Sequence, residues 1–67
     1  MIITINGKST DAYNEALSVE KLLGKLALTN SLTIVELNKV ALKKKDHQKI
    51  LIKDGDIIEI VQIAAGG

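Results

Sequence analysis

The sequence predicts an α+β domain in which a mixed sheet of four to five strands carries one main helix across one face. Three observations lead there. Runs rich in β-branched aliphatics stand near both ends and in the middle of the chain. One stretch with helical spacing lies between the first two runs, and turn dipeptides punctuate the rest. Strands interrupted by a single helix favour a helix laid on a sheet over an alternating α/β fold.

Met1-Ile2-Ile3-Thr4-Ile5 reads as the first strand, and alternation turns Met1, Ile3 and Ile5 to one face. Asn6-Gly7 suits a type I′ hairpin because both residues tolerate positive φ, and a more polar return strand is expected from Lys8 to about Tyr13. Ser18 is the expected N-cap of the helix, with Glu20 favourable in the positive first turn. Val19, Leu22, Leu23 and Leu26 follow at i, i+3, i+4 and i+7, which makes one apolar stripe, while Lys21 and Lys25 point away from it. Gly24 within that helix costs roughly 1 kcal/mol relative to alanine, so a helix that is short or tightly packed there is expected.

Thr29-Asn30-Ser31 reads as a loop. Leu32 to Leu37 is the second clear strand, with Thr33, Val35 and Leu37 on one face and Ile34 and Glu36 on the other. Asn38-Lys39 turns it, and Val40-Ala41-Leu42 can return briefly. Lys43 to Gln48 reads as a polar loop before the short apolar segment Ile50-Leu51-Ile52. Asp54-Gly55-Asp56 forms a turn, since glycine supplies positive φ and aspartate bonds nearby backbone. Ile57 to Ile63 is the last and strongest strand. This order is that of a β-grasp, with residues 1–63 as one domain and 64–67 as a flexible Gly-Gly tail.

Composition narrows the function. A chain of 67 residues buries only about 60% of the surface its unfolded form exposes, which leaves a modest core and no deep active site. There is no cysteine, so disulfides, thiolate nucleophiles and cysteine-ligated metals are excluded. With His47 the only histidine, a self-contained hydrolase or transferase is not expected. Net charge is +1 and every basic residue is lysine, so neither nucleic acid nor membrane is an expected partner. No apolar run approaches a membrane span, and a cytoplasmic location is expected. Lys43-Lys44-Lys45 with His47 and Lys49 reads as a solvated loop, lacking aromatics for stacking. Asp54 and Asp56 lack the further oxygen ligands a metal site needs.

The ending Ala64-Ala65-Gly66-Gly67 holds the chemistry. Two terminal glycines arise by chance in roughly 0.5% of chains at average glycine usage. Lacking Cβ, they can pass a narrow channel in backbone conformations closed to other residues. Extended, the four residues reach about 13–14 Å, enough to enter a neighbouring protein's site. The α-carboxylate at the tip, with an ordinary pKa of about 3.3–3.7, is an anion at neutral pH. It can attack the α-phosphorus of ATP to give an acyl-adenylate that a sulfur donor then displaces. Magnesium and phosphate-binding groups would have to come from a partner.

Over essentially its whole length the chain resembles the family of thiamin-biosynthesis sulfur carrier proteins, which are ubiquitin-like β-grasp proteins. The resemblance rests on Ile3-Thr4-Ile5-Asn6-Gly7, Leu22-Leu23, Val35-Glu36-Leu37-Asn38, and Asp54-Gly55-Asp56-Ile57-Ile58-Glu59-Ile60-Val61 continuing to Gly66-Gly67. It implies that an E1-like adenylyltransferase uses ATP and magnesium to activate Gly67. Sulfur relayed from a cysteine desulfurase then forms a thiocarboxylate, and thiazole synthase accepts it. On this reading Gly66, Ala65 and Ala64 give the tail access, no cofactor is bound, and the chain is a protein co-substrate, not an enzyme. Where family members often carry proline and a basic residue after the middle hairpin, this chain has Val40-Ala41-Leu42-Lys43.

With one helix, only one sheet face can be covered. Ile58 and Ile60 are then the core residues of the last strand. Ile57, Glu59, Val61 and Ile63 are left on the other face as candidates for partner docking. Two other readings share the fold. The small subunit of molybdopterin synthase also ends in Gly-Gly and carries a thiocarboxylate, but its relatives tend to be longer with prolines before the tail. A ubiquitin-like interaction module would have a tail that is never activated.

Overall fold

A computed structural model describes residues 1–28 and 32–63. In chain order the elements are β1 (Ile3–Ile5), β2 (Lys8–Thr10), β3 (Leu17–Ser18), α1 (Val19–Lys25), β4 (Leu32–Leu37), β5 (Val40–Ala41), a 3-10 turn (Lys44–Asp46), β6 (Leu51–Ile52) and β7 (Ile57–Ile63). Five strands form a mixed sheet in the order β2-β1-β7-β4-β5, and β3 pairs with β6 in a separate two-stranded ladder. β7 lies at the centre, parallel to β1 and antiparallel to β4. This is the β-grasp arrangement that the order of strands and helix predicts.

The hairpin between β1 and β2 forms as its sequence demands. Asn6 and Gly7 adopt φ of 49° and 83°, both in the left-handed region of a type I′ turn. β2 stops at Thr10, short of Tyr13, because the Thr10 hydroxyl accepts the Ala12 N–H at 3.2 Å and diverts the chain from the ladder. The second hairpin, at Asn38 and Lys39, uses the same conformation with φ of 50° and 70°.

Helix α1 begins where Ser18 caps it: the serine hydroxyl accepts the Lys21 N–H at 3.1 Å. It ends at Lys25, directly after Gly24. The Leu28 N–H donates to the Leu23 carbonyl at 2.8 Å and the Ala27 N–H to the Gly24 carbonyl at 3.0 Å, with Ala27 left-handed at φ 60°. These two bonds make a Schellman C-cap. Leu26 therefore serves as the cap and packs partly buried against the core.

One apolar core fills the space between α1 and the sheet. It joins Val19, Leu22 and Leu23 of the helix with Ile3, Val35, Ile58 and Ile60 of the sheet, and Leu17 and Ile52 of the small ladder seal one side. The β3–β6 ladder, which local sequence does not announce, sets Leu17 opposite Ile52 and buries both. Among the described residues, no helix is long and apolar enough to cross a membrane.

The polar segment from Lys43 to Gln48 is corrected in one respect. Lys43, Lys44 and Lys45 are exposed, as a solvated loop requires, but His47 is 5% exposed. The 3-10 turn at Lys44–Asp46 reverses the chain and carries His47 inward, and the His47 carbonyl accepts the Glu20 N–H at 3.0 Å.

Candidate functional site

The candidate site is the strand that leads to the C-terminus and the sheet face it presents. β7 holds its position through both edges. On one side β4 follows it throughout, from Leu37 opposite Ile58 to Leu32 opposite Ile63. On the other, β1 pairs with it at Ile57 and Ile58.

Side chains pin the start of the strand as well. The Asn38 carboxamide accepts the Ile57 N–H at 2.9 Å and donates to Asp56 at 3.0 Å, while Asp56 also accepts the Lys53 N–H at 2.7 Å. Asp54 accepts the Ile2 N–H at 2.6 Å. Both aspartates thus serve the turn around Gly55, whose φ is 86°. Among the described residues, no group of three or more His, Asp or Glu side chains is placed to hold a metal ion.

Alternation along β7 divides its side chains as expected. Ile58 and Ile60 are buried, whereas Ile57, Glu59, Val61 and Ile63 are exposed, Val61 at 58% and Ile63 at 46%. The antiparallel register then adds residues that sequence reading left out. Val61 stands opposite Ile34 and Ile63 opposite Leu32, and both β4 residues are exposed. The outer sheet face therefore carries an apolar patch of Leu32, Ile34, Val61 and Ile63 at the end of β7 from which the chain continues. Glu59 meets Glu36 one layer back. Alternation within β4 already placed Ile34 and Glu36 on one face; only the pairing register, which is non-local, brings them beside Val61 and Glu59.

Ala64, Ala65, Gly66 and Gly67 lie outside the described residues. The described part of the site is thus a strand paired on both edges, with an apolar flank and carboxylates at Glu36 and Glu59. His47, the one imidazole, is buried elsewhere and contributes nothing to this face.

Comparison with known proteins agrees along the whole chain. The model of the ThiS family matches residues 3–67. The sulfur carrier protein ThiS of Bacillus subtilis is 32% identical over 66 residues, covering 98% of this chain and all of that protein. A thiazole synthase of Paramagnetospirillum magneticum is 33% identical over 67 residues; this chain spans 20% of that protein's length. Among solved structures, the crystal structure of the thiamine biosynthesis protein ThiS from Geobacter metallireducens superimposes with a TM-score of 0.83. It is 35% identical and matched in full by both chains.

Proposed function

This chain belongs to the ThiS family of sulfur carriers in thiamin biosynthesis, and on that premise we propose that its Gly67 carboxylate is the group that carries the sulfur. A carboxylate oxygen of Gly67 attacks the α-phosphorus of ATP in the site of an E1-like adenylyltransferase, which also holds the magnesium, and pyrophosphate leaves. The terminal sulfur of a persulfide on a cysteine desulfurase relay then attacks the acyl carbon and AMP departs; a thiol cleaves the resulting acyl disulfide, becoming a disulfide itself, and a thiocarboxylate remains. Thiazole synthase takes the sulfur, and as the C–S bond breaks an oxygen from its substrate or from water replaces it at the acyl carbon to restore the carboxylate. Gly66, Ala65 and Ala64 offer little side-chain bulk, which suits passage into both partner sites.

The observation that carries this reading is the extent of the family match, which runs through Gly66 and Gly67 to the end of the chain. Thiazole synthase as the acceptor has separate support. A protein of that name contains a stretch similar to the whole of this chain within one polypeptide, which would hold carrier and synthase together at high effective concentration. The outer face with Ile57, Glu59, Val61 and Ile63 is the proposed docking surface, since it lies on the strand that precedes the tail in the sequence.

Intact mass spectrometry tests the chemistry. The chain is incubated with an E1-like adenylyltransferase, ATP, magnesium and a sulfur source. An adenylate, followed by replacement of a C-terminal oxygen by sulfur, is expected. If neither species ever forms, the carrier mechanism is wrong.

A further inference from the structure

Asn6 makes a long-range contact that its role in the first hairpin does not require. β1 pairs with β7 at Ile57 and Ile58, and the Asn6 N–H donates to the Ile58 carbonyl at 2.9 Å. At that point the backbone of β1 turns away into the hairpin. The Asn6 side chain then takes the place of a further strand residue. Its Oδ1 accepts the Ile60 N–H at 2.7 Å, and its Nδ2 donates to the Ile60 carbonyl at 3.1 Å.

One carboxamide therefore satisfies both polar groups of a β7 residue, in a partly buried setting and across 54 positions of sequence. The residue choice is narrow. Aspartate keeps the acceptor but sets a carboxylate oxygen against the Ile60 carbonyl, and alanine keeps neither bond. The left-handed φ of 49° is one that asparagine tolerates better than most side chains. Because β4 already holds the opposite edge, Asn6 carries two-sided support of β7 beyond the end of β1 and toward the C-terminal exit.

We propose that Asn6 is a positioning residue for the tail: by clamping Ile60 it fixes the direction in which β7 delivers the C-terminal residues to the activating enzyme. This rests on the reading that the tail is the activated group. Without the clamp, the last part of β7 samples more directions, and a smaller fraction of molecules presents the tail productively. A lower competent fraction weakens apparent affinity in proportion and leaves the bound complex unchanged.

The test compares Asn6→Ala and Asn6→Asp with the wild-type chain. Hydrogen exchange at the Ile60 amide and steady-state kinetics of adenylation by an E1-like enzyme are both measured. Aspartate also tolerates the left-handed turn, so the second variant retains the hairpin if the first is poorly folded. Faster exchange at Ile60 is expected in Asn6→Ala, which loses the acceptor, and in both variants KM for the carrier should rise roughly threefold to tenfold at unchanged kcat. Ile3→Val, a buried change on β1, serves as a control for stability alone and should leave KM unaltered. An unchanged KM in both Asn6 variants, or an equal rise in Ile3→Val, overturns the proposal. Absence of any activation in the wild-type chain overturns the proposed function and this inference with it, whereas equal activation of wild type and variants overturns this inference alone.

Discussion

Glu36 and Glu59 stand directly opposite each other on β4 and β7, both exposed on the outer sheet face. Like charges in that relation oppose pairing, and cross-strand pairs of this kind are worth about 0.2–1 kcal/mol. Glu36→Lys converts the repulsion into attraction. Its thermal midpoint at low salt should rise by about 1–8 °C, the range that such energies give in a domain of this size. The gain should shrink as salt screens the pair. No gain at low salt would mean that the two carboxylates swing apart and do not sense each other.

His47 is buried, and its Nε2 has no hydrogen-bond partner among the described residues. An orphaned polar atom of this kind costs about 1–3 kcal/mol. Replacing the ring by an apolar side chain of similar reach removes the orphan while keeping the space filled. We therefore expect His47→Leu to hold or raise the urea midpoint, and His47→Ala to lower it by opening a cavity. A clear loss in His47→Leu would show that the imidazole has a stabilising partner.

Leu22 is fully buried between helix and sheet. Leu22→Ala should cost about 2–5 kcal/mol. For a chain of 67 residues the whole stability is of the order of 3–10 kcal/mol, so this variant should sit close to unfolding at room temperature. Val40→Ala, at an exposed position of β5, should fall within about 0.5 kcal/mol of the wild type. Urea titrations followed by circular dichroism compare the two. Equal losses would show that the core is not where the burial pattern puts it.

These expectations also separate what local sequence could show from what it could not. Alternation alone divided Ile58 and Ile60 from Val61 and Ile63, because one short helix can cover only one face of the sheet. It could not pair Val61 with Ile34 or Glu59 with Glu36, since register is decided by contacts far apart in sequence. Asn6 was legible as a turn residue through its neighbour Gly7, but its hold on Ile60 depends on β7 lying beside β1. His47 sits in a run of lysines that reads as solvated, and only the 3-10 turn beside it turns the ring inward. Gly66 and Gly67 lie outside the described residues, and the role proposed for them rests on the family match.

Deleting Gly67 should separate activation from folding. The proposed reactive carboxylate would move to Gly66, one residue short of its reach into the partner site, and adenylation should be lost. A glycine has no side chain to bury, so the thermal midpoint should stay within about a degree of the wild type. Circular dichroism and the adenylation assay are run on the same preparation. A large fall in the midpoint would show that the terminal residue is packed against the domain; retained adenylation would show that the reactive group is not tied to Gly67.

Ala27 offers a last prediction, in the opposite direction. It occupies the C′ position of the Schellman cap after α1, where φ is 60°, and it is exposed. Glycine dominates this position because a Cβ in the left-handed region crowds the following carbonyl, at a cost of roughly 1–2 kcal/mol. Ala27→Gly removes that crowding but loosens the unfolded chain by about 0.5–1 kcal/mol. The net should be a gain of up to about 1.5 kcal/mol, visible as a higher urea midpoint with an unchanged slope. Ala27→Val, whose β-branch makes the left-handed region worse, should move the midpoint down. If glycine destabilises while valine is neutral, then Ala27 is not left-handed in solution, and the cap bonds from Ala27 and Leu28 to the helix end are not made.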